Sequence, residues 1–123
     1  MPRAPREVAR QVLEIEAAAV AGVVGQLDGA FDQAVETIRA APGRVVCTGM
    51  GKSGLVMKKV AATLASTGTP AFFLHPAEAI HGDLGMIVPG DVVLAASYSG
   101  TTEELLRLVE WLFAPVLGVH GLV

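Results

Sequence analysis

The spacing of apolar residues over the first forty positions predicts two amphipathic helices. The apolar residues of the first helix recur at steps of three and four and form one stripe: Val8, Val12, Ile15, Ala19 and Val23. The pattern breaks between Gly25 and Gly29, and a second apolar stripe then runs from Phe31 to a stop at Ala41-Pro42-Gly43. Both helices precede any predicted strand. The sequence leaves open whether they add a layer to the fold or form an oligomer face.

From Arg44 onward, short β-type runs alternate with helical segments. The predicted strands cover residues 45–48, 71–74 and 91–96, with a fourth at 116–119, and the predicted helices cover residues 55–66 and 101–113. This alternation is typical of an α/β fold, with a doubly wound, Rossmann-like parallel sheet flanked by helices. Such sheets bind ligands at the carboxyl ends of their strands. We therefore expect a single domain with N-terminal helices at 1–42 and an α/β core at 44–123.

The composition excludes several classes of protein. Hydrophobic residues make up 52% of the 123 residues, and the formal net charge is −3, which argues against a general nucleic-acid binder. No apolar run is long enough to span a membrane, so no membrane partner is expected. The basic N-terminus lacks the apolar run of a secretory signal, and we expect a cytoplasmic protein. Cys47 is the single cysteine and lies in an apolar run, which predicts a buried core thiol.

The segment from Gly49 to Gly54 is a candidate phosphate-binding loop between a strand and a helix. Its glycines allow a sharp turn and a close approach of the backbone to a ligand. The free N–H groups at the start of the next helix would attract an anion, and Lys52 adds a full positive charge. The hydroxyl of Ser53 would either cap the helix or bind the ligand.

Two nucleotide-binding motifs fit this loop less well. Its glycine spacing matches the dinucleotide fingerprint, but a Rossmann site also needs an acid directly after the second strand, and the first acid there is Glu78. The P-loop motif fails because Val46 stands where its first glycine is required.

A second candidate phosphate loop, Ser97-Tyr98-Ser99-Gly100-Thr101-Thr102, also lies between a strand and a helix. Hydroxyl groups beside a helix N-terminus can donate hydrogen bonds to a phosphate. The alternative is a capping box in which Glu104 reaches back to the helix cap, and for this loop alone the two interpretations are equally good. Two such loops on successive crossovers favour ligand binding.

Between the two loops lie His75, Glu78, His81 and Asp83. Histidines beside carboxylates at the end of a strand can bind sugar hydroxyls, transfer protons or hold a metal. We favour the first two roles, because the sequence offers no convincing third and fourth metal ligands.

Taken together, these segments resemble the SIS (sugar isomerase) domain of arabinose-5-phosphate isomerases. The resemblance runs from about Val45 to Glu104 and rests on five segments: Gly49-Met50-Gly51-Lys52-Ser53-Gly54, Ala65-Ser66-Thr67-Gly68-Thr69-Pro70, His75-Pro76 with Glu78-Ala79, His81-Gly82-Asp83-Leu84-Gly85-Met86 and Ser97-x-Ser99-Gly100-x-x-x-Glu104. The Ser-x-Ser-Gly loop marks SIS domains in general. The first and fourth segments are more specific to this isomerase group.

The resemblance implies an aldose–ketose isomerase that interconverts ribulose 5-phosphate and arabinose 5-phosphate, a step towards the Kdo sugar of lipopolysaccharide. It implies catalytic roles for Lys52 in charge stabilisation and for Glu104 in proton transfer. It requires no cofactor, but His75 matches a position that can bind an inhibitory zinc ion. The residues that match substrate-binding positions are Ser53, Gly68, Thr69, His75, His81, Ser97, Ser99, Thr101 and Thr102.

The resemblance weakens past Glu104. The family continues with further strands, another functional Glu and His, and usually a tandem CBS pair, so we interpret the sequence as a partial SIS domain. A sheet edge left exposed in this way favours association, and we expect a homo-oligomer, a dimer or a tetramer. Two other functions stay open: a non-catalytic sugar-phosphate sensor and a dinucleotide-binding fragment.

Overall fold

The computed structural model describes residues 1–112, apart from the side chains of Asp83 and Leu84. The predicted fourth strand at 116–119 lies outside this part of the chain. The chain divides into two compact units, Met1–Gln33 and a second that begins at Ala34. The division lies within the second helix and therefore earlier than the boundary at residues 42–44 that the sequence suggested.

The first unit contains helix α1, Pro5–Val23, a 3₁₀ turn at Val24–Gln26 and the start of helix α2, Gly29–Ala40. The two predicted amphipathic helices are thus confirmed. No residue of α1 is buried, and the apolar side chains of Val12, Ile15 and Val20 are 47%, 61% and 72% exposed. Within residues 1–112, no helix is both long and apolar enough to cross a membrane.

In the part of the second unit that the structure describes, three parallel strands form a sheet in the order β2-β1-β3. The elements of this part are β1 Val45–Gly49, α3 Gly51–Ser66, β2 Ala71–Phe73, α4 Pro76–Ile80, a 3₁₀ turn at Asp83–Met86, β3 Val92–Ala96 and α5 Glu103–Leu112. Every residue of the central strand β1 is buried, as its continuous apolar run requires of a strand covered on both faces. The predicted parallel α/β sheet is therefore confirmed.

Helices cover both faces of this sheet. On one face, Val46 packs with side chains of α5 such as Leu108. On the other face, Val45 and Cys47 pack against Met57 and other inward-facing side chains of α3. Cys47 is fully buried, which confirms the predicted core thiol, and this burial raises the pKa of the thiol. The sheet is doubly wound, as the sequence predicted.

Helix α3 begins at Gly51, four residues before the start that the apolar pattern indicated. Met50 is the extended N-cap residue, and Gly51 follows with a φ of +56°, a conformation that favours glycine. The N–H of Gly54 donates to the carbonyl of Met50 at 3.2 Å, which closes the first helical turn. The last four of the six residues of the predicted loop are therefore helical, and Ser53 lies inside the first turn instead of capping it.

At the amino ends of the strands, the carboxylate of Asp91 fixes the turn before β3 to the start of β1. Its side chain is only 1% exposed, and its two oxygens accept hydrogen bonds from the backbone N–H groups of Arg44 (2.8 Å) and Val88 (3.0 Å). The Arg44 guanidinium donates in turn to the carbonyl of Met86 at 2.8 Å. Since these bonds join β1 and β3, they hold the register that places the two carboxyl ends side by side.

Candidate functional site

A cleft of about 560 Å³ opens at the carboxyl ends of β1 and β3. These strands are neighbours in the sheet, and Gly49 is in register with Ala96. The first turn of α3 and the loop after β3 therefore face the same space. The residues that line the cleft are Met50, Lys52, Ser53, Val56, Ala96, Ser97, Tyr98, Ser99 and Thr102. The structure thus brings the two predicted phosphate loops together.

On the α3 side, the cleft offers a positive charge and a helix N-terminus. Lys52 and Ser53 lie in the first turn of this 16-residue helix, where the leading N–H groups have no carbonyl of an earlier turn to bind. These N–H groups carry the positive end of the helix dipole. An anion in the cleft would therefore meet backbone donors, a hydroxyl group and an ammonium group.

On the β3 side, two serine hydroxyls are oriented by the loop itself. The oxygen of Ser97 accepts from the N–H of Gly100 at 2.8 Å, and that of Ser99 accepts from the N–H of Thr101 at 3.2 Å. The hydroxyl of Thr101 also donates to Ser99 at 3.2 Å. Because both serine oxygens already accept, their O–H protons are left to donate to a ligand. Gly100 has a φ of +70°, so this turn favours glycine.

Two carboxylates follow in the first turn of α5, and only one of them is paired. Glu103 forms an ion pair with Arg107 at 2.7 Å. Glu104 is half-buried and makes no hydrogen bond or ion pair with any residue in the described part of the chain. The capping box that the sequence allowed is therefore absent from residues 1–112. Glu104 remains a carboxylate available for other chemistry.

The two predicted histidines lie at the ends of α4, and neither lines the cleft. Nδ1 of His75 accepts from the N–H of Ala77 at 3.2 Å and so caps the helix, which leaves Nε2 for other contacts. His81 is the exposed C-cap residue of the same helix. Helix α4 packs against α5, the helix that carries Glu104. The ring of His75, however, lies edge-on to Phe73, with the two ring centroids 6.5 Å apart, and Phe73 packs on the α3 side of the sheet.

Three other predicted substrate contacts also lie off the cleft. Thr101 belongs to the hydroxyl loop but supports Ser99 rather than lining the cavity. Gly68 and Thr69 follow α3 and precede β2, next to Pro70, whose carbonyl accepts from the N–H of Val45. They lie at the amino ends of the strands, whereas the cleft lies at the carboxyl ends. The predicted strand at 71–74 already placed these two residues at its amino end, and only the family resemblance assigned them to the substrate. One copy of the chain does not bring Gly68 and Thr69 to the cleft.

The described residues do not form a complete metal site. Among them, no three His, Cys, Asp or Glu side chains are grouped so that they could hold an ion. His75 would bring one ligand, Nε2, because its other ring nitrogen caps α4. A zinc ion at His75 therefore stays a prediction, and nothing in the site depends on it.

Sequence reasoning missed the apolar half of the cleft. Met50 lies within the first motif, and Val56 and Ala96 lie close to the two motifs, but none of the three has a polar group that would mark it as functional. Tyr98 lies between two predicted residues, Ser97 and Ser99, and was not singled out. The available signal was its position in the chain, between two residues that were predicted to bind the ligand.

Comparison with known proteins agrees with this geometry. Residues 37–115 match the SIS domain family. The chain is 54% identical over 101 residues to the arabinose 5-phosphate isomerase KdsD of Pseudomonas aeruginosa, and 51% identical over 105 residues to the arabinose 5-phosphate isomerase GutQ of Escherichia coli K12. These alignments cover 82% and 85% of this chain but 31% and 33% of the relatives. The chain thus spans about a third of the length of the curated relatives it matches.

A solved structure from Escherichia coli CFT073, in complex with A5P, superposes with a TM-score of 0.85 at 37% identity. The superposition covers 97% of this chain and 64% of the other. The match to the family extends over more than half of the sequence and includes both sides of the cleft. The chain therefore belongs to the SIS domain family.

Proposed function

We propose that this chain binds arabinose 5-phosphate and ribulose 5-phosphate and interconverts them as an aldose–ketose isomerase. The observation that carries the proposal is the single cleft that joins Lys52 to the oriented hydroxyls of Ser97 and Ser99. Glu104 does not line the cleft itself, but it lies two residues beyond Thr102, which does, and its carboxylate is unpaired among residues 1–112. Together these groups offer what the reaction needs: a phosphate cradle, a cation and a base.

The reaction moves one proton between adjacent carbons. Glu104 removes the proton from C2 of the aldose, an enediolate forms with its negative charge on the former carbonyl oxygen, and the proton returns at C1 to give the ketose. The proton of the O2 hydroxyl passes to O1 in the same conversion. Lys52 stabilises the enediolate through its positive charge. It lies in the first turn of α3, where the helix dipole adds a positive partial charge. The serine hydroxyls hold the phosphate so that C1 and C2 stay near these two groups.

The relatives support the choice of substrate. Two are named arabinose 5-phosphate isomerases, and a solved relative contains A5P. We further propose that the reaction belongs to carbohydrate metabolism that leads to the Kdo sugar of lipopolysaccharide, as the sequence resemblance implied. Because the chain spans about a third of those relatives, its own turnover is part of the proposal.

Arabinose 5-phosphate is expected to stabilise the chain against heat, whereas arabinose without phosphate is not. At a hundred times its dissociation constant, a ligand that binds only the folded state adds about 2.7 kcal/mol to the free energy of unfolding. Differential scanning fluorimetry with increasing ligand measures this shift. In ²H₂O, NMR should also show deuterium entering C2 of arabinose 5-phosphate in the presence of the protein.

The same experiments separate the alternatives. Stabilisation without deuterium exchange would make the chain a sugar-phosphate-binding module of the sensor type. Stabilisation by NAD but not by pentose phosphates would identify a dinucleotide fragment. If neither ligand shifts the transition, the cleft has no role in sugar-phosphate binding.

The chain is further proposed to associate with copies of itself, as a dimer or a tetramer. The support is the apolar stripe of α1, in which Val12 and Ile15 are exposed. Multi-angle light scattering at increasing protein concentration is expected to give a mass of at least two chains. A monomer at all concentrations would contradict this. A cytoplasmic location and inhibition by zinc at His75 stay predictions from the sequence.

A further inference from the structure

Tyr98 is an aromatic residue that the fold itself does not use. It is fully exposed, and no hydrogen bond or ring contact joins its side chain to any residue in 1–112. Folding gains nothing from a large side chain that stays in water, so its presence in the loop needs another explanation.

The loop holds the backbone of Tyr98 in place while its ring is left free. The residues on either side, Ser97 and Ser99, are each fixed by a hydrogen bond to a backbone N–H further along the loop. The ring therefore stands at the rim of the cleft, between the two serines that also line it.

The remaining wall of the cleft is apolar. Met50, Val56 and Ala96 line this wall together with Tyr98. The polar groups of the cleft include the ammonium group of Lys52 and the hydroxyls of the serines. A phosphate alone would use only the polar part. An apolar wall with an aromatic rim suits a ligand that also has C–H groups, because aromatic rings pack well against them.

We propose that Tyr98 recognises the carbon chain of a phosphorylated sugar by packing its ring against the C–H groups of the ligand, while the adjacent hydroxyl loop holds the phosphate. The proposal rests on the function proposed above and names the residue that separates sugar phosphates from inorganic phosphate. The ring carries the effect, and the phenolic hydroxyl is not required.

The test is a pair of calorimetric titrations, one with arabinose 5-phosphate and one with inorganic phosphate. Tyr98→Ala is expected to weaken binding of the sugar phosphate about tenfold and to leave phosphate binding within twofold of the unchanged protein. Tyr98→Phe is expected to bind both ligands as the unchanged protein does. Phe31→Ala, which removes another exposed aromatic ring far along the chain, serves as the matched control and should change neither affinity.

Three outcomes would overturn the proposal. Equal affinity for the sugar phosphate in Tyr98→Ala would show that the ring makes no contact. An equal loss for both ligands would show that Tyr98 acts on the phosphate loop. A change of mass in light scattering with unchanged affinities would assign the ring to contact with a second copy. If the unchanged protein binds no sugar phosphate, the proposed function itself fails, which is a different result from any of these three.

Discussion

Replacing Gly54 by alanine is expected to lower the free energy of unfolding by about 3 kcal/mol, because α3 and β1 touch through their backbones at this residue. A Cβ at position 54 would lie 2.5 Å from the carbonyl oxygen of Gly49 and 3.4 Å from the ring of Phe73. Neither the strand nor the first helical turn can yield easily, since β1 is paired on both sides. The helix would have to move away from the sheet and would take Lys52 and Ser53 with it.

The loss can be measured as a fall of more than about 10 °C in the melting temperature. Trp111 is the single tryptophan and packs against the core of the second unit, so its fluorescence reports this transition. Gly22→Ala is the matched control: it is the same chemical change in an exposed helix, where the added Cβ meets no atom of another element within 4 Å, and it should not lower the melting temperature. A Gly54→Ala variant as stable as the unchanged protein would show that α3 and β1 leave room for a methyl group at this residue.

The sequence was sufficient for the architecture because the relevant signals are local. Val45, Val46 and Cys47 form a continuous apolar run, which is typical of a strand covered on both faces, and the alternation with helical segments then requires parallel pairing. The same argument placed the two phosphate loops at one edge of the sheet. The two loops meet in one cleft because β1 and β3 are neighbours in the sheet. The alternation of strands and helices predicts a parallel sheet but not this order of its strands.

The sequence was insufficient where a residue type fits two structural roles. Glycines such as Gly54 indicated a loop, but here the glycine is helical and is required by the approach of a strand. A threonine beside a glycine at 68–69 matched a family motif, yet it lies at the amino edge of the sheet. The local sequence does not show that apolar residues such as Val56 line a cleft. An exposed helical position has the same sequence pattern whether it borders a cleft or open surface. Which edge and which face a residue occupies depends on contacts distant in sequence.

Lys52→Met is expected to weaken binding of arabinose 5-phosphate about tenfold, whereas Lys59→Met should leave it unchanged. Both are exposed lysines of α3, so the two variants lose the same charge, but only Lys52 lines the cleft. A hydrogen bond from a charged group contributes about 1.5–3 kcal/mol, and exposure to water lowers this contribution to about 1.4 kcal/mol. That free energy corresponds to a tenfold change in affinity. Titration calorimetry measures the difference. Equal affinities of the two variants would remove Lys52 from the site.

Glu104→Gln is expected to bind arabinose 5-phosphate within twofold of the unchanged protein and to lose deuterium exchange at C2 by at least about a hundredfold, which is typical of removing a general base. The adjacent Glu103 provides the matched control: its carboxylate is engaged by Arg107, so Glu103→Gln should retain exchange. The glutamine is nearly isosteric, and the half-buried position of Glu104 therefore stays filled. If exchange survives in Glu104→Gln and disappears in Glu103→Gln, the base is Glu103 and the assignment to Glu104 is wrong. A loss of binding in Glu104→Gln would instead give this residue a role in holding the substrate.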